Sequence, residues 1–288
     1  MSRKDNSNKG KSHGRQGGDN RKPSGRGGTR KQSFARGNAP IKKAPLLKNK
    51  QDDGKIRLNK YIANSGVCSR RDADIYITSG NVLVNGQVVT ELGYKVNLTD
   101  EVKFDGKTIN PEKKEYVLLN KPKGFITTTN DERGRRTVMD LVRNSTKSRI
   151  VPVGRLDRNT TGLLLFTNDG ALAKKLTHPK HGIRKIYHVK LNRNLVYDDL
   201  KAIANGLKLE DGLIEVDEVS YIENASKSEV GIKIHSGRNR IVRRIFEHLG
   251  YEVVKLDRVV FAGLTKKDLP RGTWRKLNEQ EINNLKML

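Results

Sequence analysis

One acid in this chain stands where it could do chemistry. Asp157 lies in Gly154-Arg155-Leu156-Asp157-Arg158-Asn159-Thr160-Thr161-Gly162, between apolar runs at residues 150–153 and 163–166. Four consecutive apolar residues at 163–166 predict a strand buried on both faces. A carboxylate in the loop ahead of such a strand sits on rigid supports, among cations and hydroxyl donors that favour its ionised form. That group can attack carbon or remove a proton. The same residues also describe a hairpin with a surface Asp–Arg pair of little energetic consequence. Residue types alone leave both readings open.

Other reactive side chains lack companions. His178 and His181 have roughly metal-ligand spacing, but no second pair of ligands is near in sequence, so no metal is expected. Cys68 is the single cysteine; it excludes an intramolecular disulfide and fits a reducing compartment. There is no Gly-rich loop ending in Lys-Ser/Thr and no Gly-x-Gly-x-x-Gly after a strand, so no cofactor is expected.

Charge narrows the partner. The 288 residues carry a net charge of +26, and residues 1–50 hold 15 Lys or Arg against two Asp. Half the excess therefore sits in about a sixth of the chain, and the remainder is basic as well. A polyanion is the natural partner, nucleic acid before membrane. No apolar run approaches the roughly 20 residues of a membrane span. The N-terminus has no apolar signal core, and a cytoplasmic location is expected.

Three segments follow from the pattern. Residues 1–54 are rich in Gly, Ser, Asn, Lys and Arg, so a disordered basic tail is expected. Its arginine-glycine elements suit loose RNA binding. Residues 55–112 form a compact basic unit. Leu58, Ile62 and Ala63 have helical spacing, and Ser69 with Asp72 predicts a capped helix over 70–78. Asn85-Gly86 and Asp105-Gly106 predict hairpins. Residues 113–288 read as mixed α and β. Strands are expected at 116–119, 186–191, 213–222, 230–234 and 252–261. Helices are expected at 171–176, 195–204, 239–249 and 279–288. The class is α+β with a mixed or antiparallel sheet.

Gly154-Arg155-Leu156-Asp157, with Thr160-Thr161-Gly162-Leu163-Leu164-Leu165 and Thr167-Asn168-Asp169-Gly170, resembles the central signature of pseudouridine synthases. It is most similar to the branch that modifies ribosomal RNA and carries an S4-type RNA-binding domain. The resemblance spans about residues 55–280. It implies an S4-like domain at 55–112 and a catalytic domain at 113–288. Asp157 would be the catalytic carboxylate. Tyr187, in Lys185-Ile186-Tyr187-His188-Val189, would stack on the base. Arg243, in Gly237-Arg238-Asn239-Arg240-Ile241-Val242-Arg243-Arg244, would pair with Asp157. Leu256 would wall the uracil pocket, and Arg155 would occupy space left by a flipped base. Arg57, Lys60, Arg70 and Arg71 in the S4-like part, and Lys121, Lys123, Arg238, Arg240 and Arg244 in the catalytic part, are the expected RNA contacts.

The implied reaction isomerises uridine to pseudouridine without cofactor or metal. Leu269-Pro270-Arg271-Gly272-Thr273-Trp274 looks most like enzymes of large-subunit (23S) ribosomal RNA. The expected partner is that RNA or its assembly intermediates, met by a monomer. Small-subunit (16S) RNA or a transfer RNA is the alternative target. A catalytically silent ribosome-assembly protein is the alternative of another class, and the joint presence of Asp157, Tyr187 and Arg243 argues for the enzyme. A sugar hydrolase would need a second acid, which no motif supplies.

Overall fold

The computed structural model describes residues 54–288, and the expected tail therefore lies outside the described residues apart from Gly54. The first part is built from β1 (Ile56–Arg57), α1 (Leu58–Asn64), α2 (Arg70–Thr78), β2 (Val82–Val84), β3 (Gln87–Val88), β4 (Lys95–Val96), β5 (Val102–Phe104) and β6 (Lys107–Thr108). Ser69 Oγ accepts from Asp72 N, and Asp72 Oδ2 accepts from Ser69 N, so the expected capping box opens α2. Asn85 and Gly86 adopt positive φ of 52° and 82°, and Asp105 and Gly106 of 46° and 75°. These are the paired left-handed residues that a two-residue hairpin needs. The strands form a sheet ordered β3-β2-β5-β6, with β1 paired to β4. Leu58, Tyr61, Ile62, Ala73 and Ile77 from the helices pack on Val82, Val84, Val96 and Val102.

The second part runs β7 (Tyr116–Lys121), α3 (Val138–Val142), β8 (Val151–Pro152), β9 (Thr161–Thr167), α4 (Gly170–Thr177), β10 (Lys185–Leu191), α5 (Tyr197–Asn205), β11 (Leu207–Leu209), β12 (Gly212–Ile214), β13 (Glu218–Tyr221), β14 (Glu229–Ile234), α6 (Ile241–His248), β15 (Val253–Phe261), β16 (Leu264–Thr265), β17 (Trp274–Lys276) and α7 (Glu279–Met287). Nine strands join one sheet along the path β13-β14-β10-β15-β9-β7-β17, with β16 on β15 and β8 on β9. Every pairing is antiparallel except β9 with β15. The sheet is mixed, as the pattern predicts.

Strand β9 is the expected doubly buried strand. Leu163 and Leu165 join Leu118, Leu172, Leu176 and Leu285 on one face. Leu164 and Phe166 join Val117, Leu119, Val138 and Val142 on the other. Two expectations change in detail. The strand expected at 213–222 breaks into β12 and β13, with residues 215–217 outside both. The helix expected from Asn239 begins at Ile241, because Arg240 takes a left-handed φ of 49° and cannot continue an α-helix backwards.

Candidate active site

Asp157 sits between the end of β8 and the start of β9, and backbone hydrogen bonds fix that loop from β7 and the turn that leaves it. Gly124 N donates to Arg158 O at 2.9 Å, and Thr160 N donates to Asp157 O at 3.1 Å. The Thr127 hydroxyl donates to Leu156 O at 2.8 Å and accepts from Leu156 N at 3.2 Å. Lys121 anchors the loop from beneath. Its ammonium donates to Thr160 O at 2.8 Å and Asp157 O at 3.1 Å, with Pro122 O at 3.1 Å and Arg158 O at 3.4 Å also in range. Burial, and then the Arg271 charge against the pull of Asp157, push the Lys121 pKa down to about 8.

The Asp157 side chain is 42% exposed, and its nearest cation is Arg240, whose Nη1 lies 4.0 Å from Oδ2. It opens onto a cleft of about 190 Å³ lined by Arg155, Thr160, Lys185, Tyr187, Arg238, Arg240, Leu256, Arg258 and Phe261 among others. Five cations and one carboxylate line this cleft, so it suits an anionic ligand. Tyr187 is half-buried, and Leu256 is 6% exposed; together they give the cleft an aromatic and an aliphatic wall. Lys185 donates to His235 O and Ser236 O, and burial followed by the charge of Arg258 pushes its pKa down to about 8.

Asp157, Tyr187, Leu256, Arg155, Arg238 and Arg240 all line this one cleft. Three expectations need correction. Lys121 is not an RNA contact: it is fully buried and spends its protons on loop carbonyls. Arg243 makes no guanidinium–carboxylate fork with Asp157. Its Nη1 donates to Val253 O at 2.9 Å, it feels Asp157 only as a more distant charge, and Arg240 takes the nearer place. Burial, with the charge of Arg240, holds the Arg243 pKa below its ordinary value. Arg244 is not a free phosphate contact either, because its two terminal nitrogens hold Asp211 at 2.9 and 2.7 Å. Arg238 pairs with the same acid at 3.5 Å.

The remaining expected contacts are exposed or half-buried. Arg57, Arg70, Arg71 and Lys123 face solvent, and Lys60 is half-buried. Arg70 leans on Asn59 Oδ1 at 3.4 Å. Lys123 lines a second cleft, shared with His188, Glu229 and Asp257.

Asp257 is the acid that sequence reasoning passed over. Arg271 holds it at 2.8 and 3.1 Å, Thr161 donates at 2.8 Å, and Lys266 adds a third contact. Burial pushes its pKa up, but these donors outweigh burial and hold it well below the carboxylate range. Arg271 also reaches Asn120 at 2.8 Å, so the group braces the start of β9 against β7 and β15. Asp257 is fully engaged, whereas Asp157 has only Arg240 at 4.0 Å beside its carboxylate.

Lys121 had a readable signal. It shares a strand face with Val117 and Leu119, which alternation places inside. Among the described residues no group of three or more His, Cys, Asp or Glu is placed to hold a metal, and no helix is long and apolar enough to cross a membrane.

A basic two-helix domain joined to a mixed sheet with a cationic, carboxylate-bearing cleft defines an RNA-directed enzyme class. Comparison with known proteins makes it specific. The S4 domain family matches residues 56–102, and the RNA pseudouridylate synthase family matches residues 115–248. The chain is 43% identical over 235 residues to the ribosomal large subunit pseudouridine synthase B of Bacillus subtilis, covering 81% of this chain and 96% of that one. It is 36% identical over 236 residues to the dual-specificity RNA pseudouridine synthase RluF of Escherichia coli, covering 81% and 79%. A crystal structure of a pseudouridylate synthase superposes with a TM-score of 0.57 at 30% identity, over 80% of this chain and 99% of that one. The chain belongs to the RNA pseudouridylate synthase family, in the group that carries an S4 domain. It is an isomerase that acts on RNA.

Proposed function

We propose that this enzyme converts one uridine of large-subunit ribosomal RNA, or of its assembly intermediates, to pseudouridine, with Asp157 as the catalytic carboxylate. The observation that carries this reading is the loop geometry. A carboxylate with no hydrogen bond of its own is presented into a cationic cleft by a backbone that four separate anchors hold. The identity to the Bacillus enzyme supports the choice of large-subunit RNA. The protein works as a cytoplasmic monomer; residues 55–112 dock the RNA, and residues 113–288 do the chemistry.

The target base is flipped out of its stack into the cleft. Tyr187 stacks on it, and Leu256 packs from the neighbouring strand. The bond between ribose C1′ and uracil N1 then breaks, and its electron pair stays with the base. Asp157 either takes the sugar carbon or removes the ribose proton beside it. The detached uracil turns and rejoins C1′ through C5; C5 then gives up its proton and N1 takes one up, so the product is the isomer with no net gain or loss. Arg240, with Arg243 behind it, keeps positive charge beside Asp157. Arg155 enters the space that the flipped base vacates.

Mapping pseudouridines in ribosomal RNA with and without this protein identifies the target. Asp157→Asn should abolish formation and leave RNA affinity within about threefold, because many phosphate contacts share the affinity. Turnover above about one per cent of wild type would remove Asp157 from the role, since losing an essential group costs at least about two decades in rate.

A further inference from the structure

Among the described residues, four buried side-chain polar atoms lack a partner, and two of them, Arg258 Nη2 and Thr160 Oγ1, belong to residues that line the Asp157 cleft. Arg258 is 3% exposed and Thr160 is 2% exposed. The guanidinium is rigidly mounted. Its Nε donates to Leu163 O at 2.8 Å, and its plane lies over the Phe261 ring at 4.6 Å. No acid pairs with it among the described residues. A buried donor without an acceptor bears its desolvation cost in full, more when charged, unless a ligand supplies the acceptor.

We propose that Arg258 Nη2 donates to a carbonyl oxygen of the flipped uracil, that Thr160 Oγ1 binds a second polar edge of the same base, and that the pair stabilises the base while it is detached. This rests on the reading of the cleft as the uridine site. Uracil matches these two unpartnered groups, since it offers two carbonyl acceptors and one N–H donor. Cleavage adds a stronger reason. The electron pair of the broken C1′–N1 bond passes to uracil, and the negative charge spreads to its carbonyl oxygens. A fixed, desolvated cation meets more charge after cleavage than before, which is the condition for accelerating that step. A phosphate contact would draw on the exposed cations Arg155 and Arg240 at the mouth, not on a side chain at the floor. Lys185 is a half-buried cation there, and its ammonium already serves two carbonyls.

The test uses the full-length protein and a synthetic hairpin carrying the mapped uridine, made with uridine, 2-thiouridine or 4-thiouridine at that position. Sulfur is a weak acceptor, so it removes the contact at one carbonyl at a time. Wild type must first convert the uridine hairpin; if it does not, the uridine-site reading fails before Arg258 is in question. Given conversion, Arg258→Gln should lower the single-turnover rate about 100-fold or more, the range for losing one preorganised donor. Arg258→Lys should recover part of the rate. One thio substitution should slow wild type about tenfold and Arg258→Gln much less, because the variant has no contact left to lose. Thr160→Val preserves shape and should cost about tenfold at unchanged melting temperature. If Arg258→Gln does not fold, Arg258→Lys carries the thio comparison. Equal thio effects in wild type and variant at both carbonyls, or wild-type rates in both Arg258→Lys and Thr160→Val, would overturn the proposal.

Discussion

At the scale of single residues, the site sets two acids in opposite surroundings. Asp157 is exposed and loosely paired, whereas Asp257, about a strand away, is saturated by Arg271, Lys266 and Thr161. Lys121 is the least expected holder. Its pKa of about 8 leaves it charged at neutral pH, close to Asp157 and beneath the loop. Lys121→Met would strand several loop carbonyls, so a loss of about 2–4 kcal/mol of stability is expected, with at least about a tenfold drop in single-turnover rate. The pH dependence has opposite signs for the two quantities. A lysine whose folded pKa lies below its unfolded value near 10.5 binds its proton more tightly when unfolded. Stability from this ionisation therefore rises between about pH 8 and 10.5. Activity should fall across pH 8, as the charge behind Asp157 is lost. The alkaline limb should vanish in Lys121→Met; if it persists there, Lys185, which titrates in the same range, is its source.

At the scale of elements, the site depends on one parallel junction in an otherwise antiparallel sheet. Strand β9 meets β15 with Thr161 beside Asp257 and Gly162 beside Arg258, and that register brings both Asp257 and Arg258 against the segment that leaves the Asp157 loop. Gly162 permits it: a Cβ there would lie 2.3 Å from Arg258 O and 2.5 Å from Arg258 N, and its φ is 107°. Gly162→Ala should cost on the order of 3–5 kcal/mol, combining a strained backbone with overpacking, and urea denaturation reads it directly. Stability within about 1 kcal/mol of wild type would mean that the two strands can part without penalty. Much of this was legible beforehand. The doubly buried β9, the Ser69 cap and both Asn-Gly and Asp-Gly turns are local signals, and local signals survive in sequence. Parallel pairing between residues 96 apart leaves no such trace, nor does the left-handed Arg240. The choice of Arg240 over Arg243 beside Asp157 followed from that one backbone angle and from Val253 O, neither of which motif spacing contains.

At the scale of the whole molecule, positive charge is distributed in three places that have different tasks. The cleft cations surround a single carboxylate, Arg57, Arg70 and Arg71 are exposed on a folded surface, and residues 1–50 hold half of the net charge. These contributions separate by their response to salt. Each neutralised phosphate on single-stranded RNA contributes about −0.7 to the slope of log affinity against log salt. Removing residues 1–54 should flatten that slope by several units and weaken binding at physiological salt, while the single-turnover rate on a saturating RNA fragment stays within about twofold. Arg70→Ala with Arg71→Ala should flatten the slope by only about one to two units. The two folded cations hold fixed positions, so their loss should also lower discrimination between the target hairpin and an unrelated one of equal length. The tail deletion should leave that ratio unchanged, because charge without geometry attracts every RNA alike. Filter binding over a salt series, with both hairpins and the three proteins, reads all of these quantities. An unchanged slope on deleting the tail would mean that residues 1–54 do not touch RNA, and an unchanged ratio in the double arginine variant would assign target choice to the catalytic domain alone.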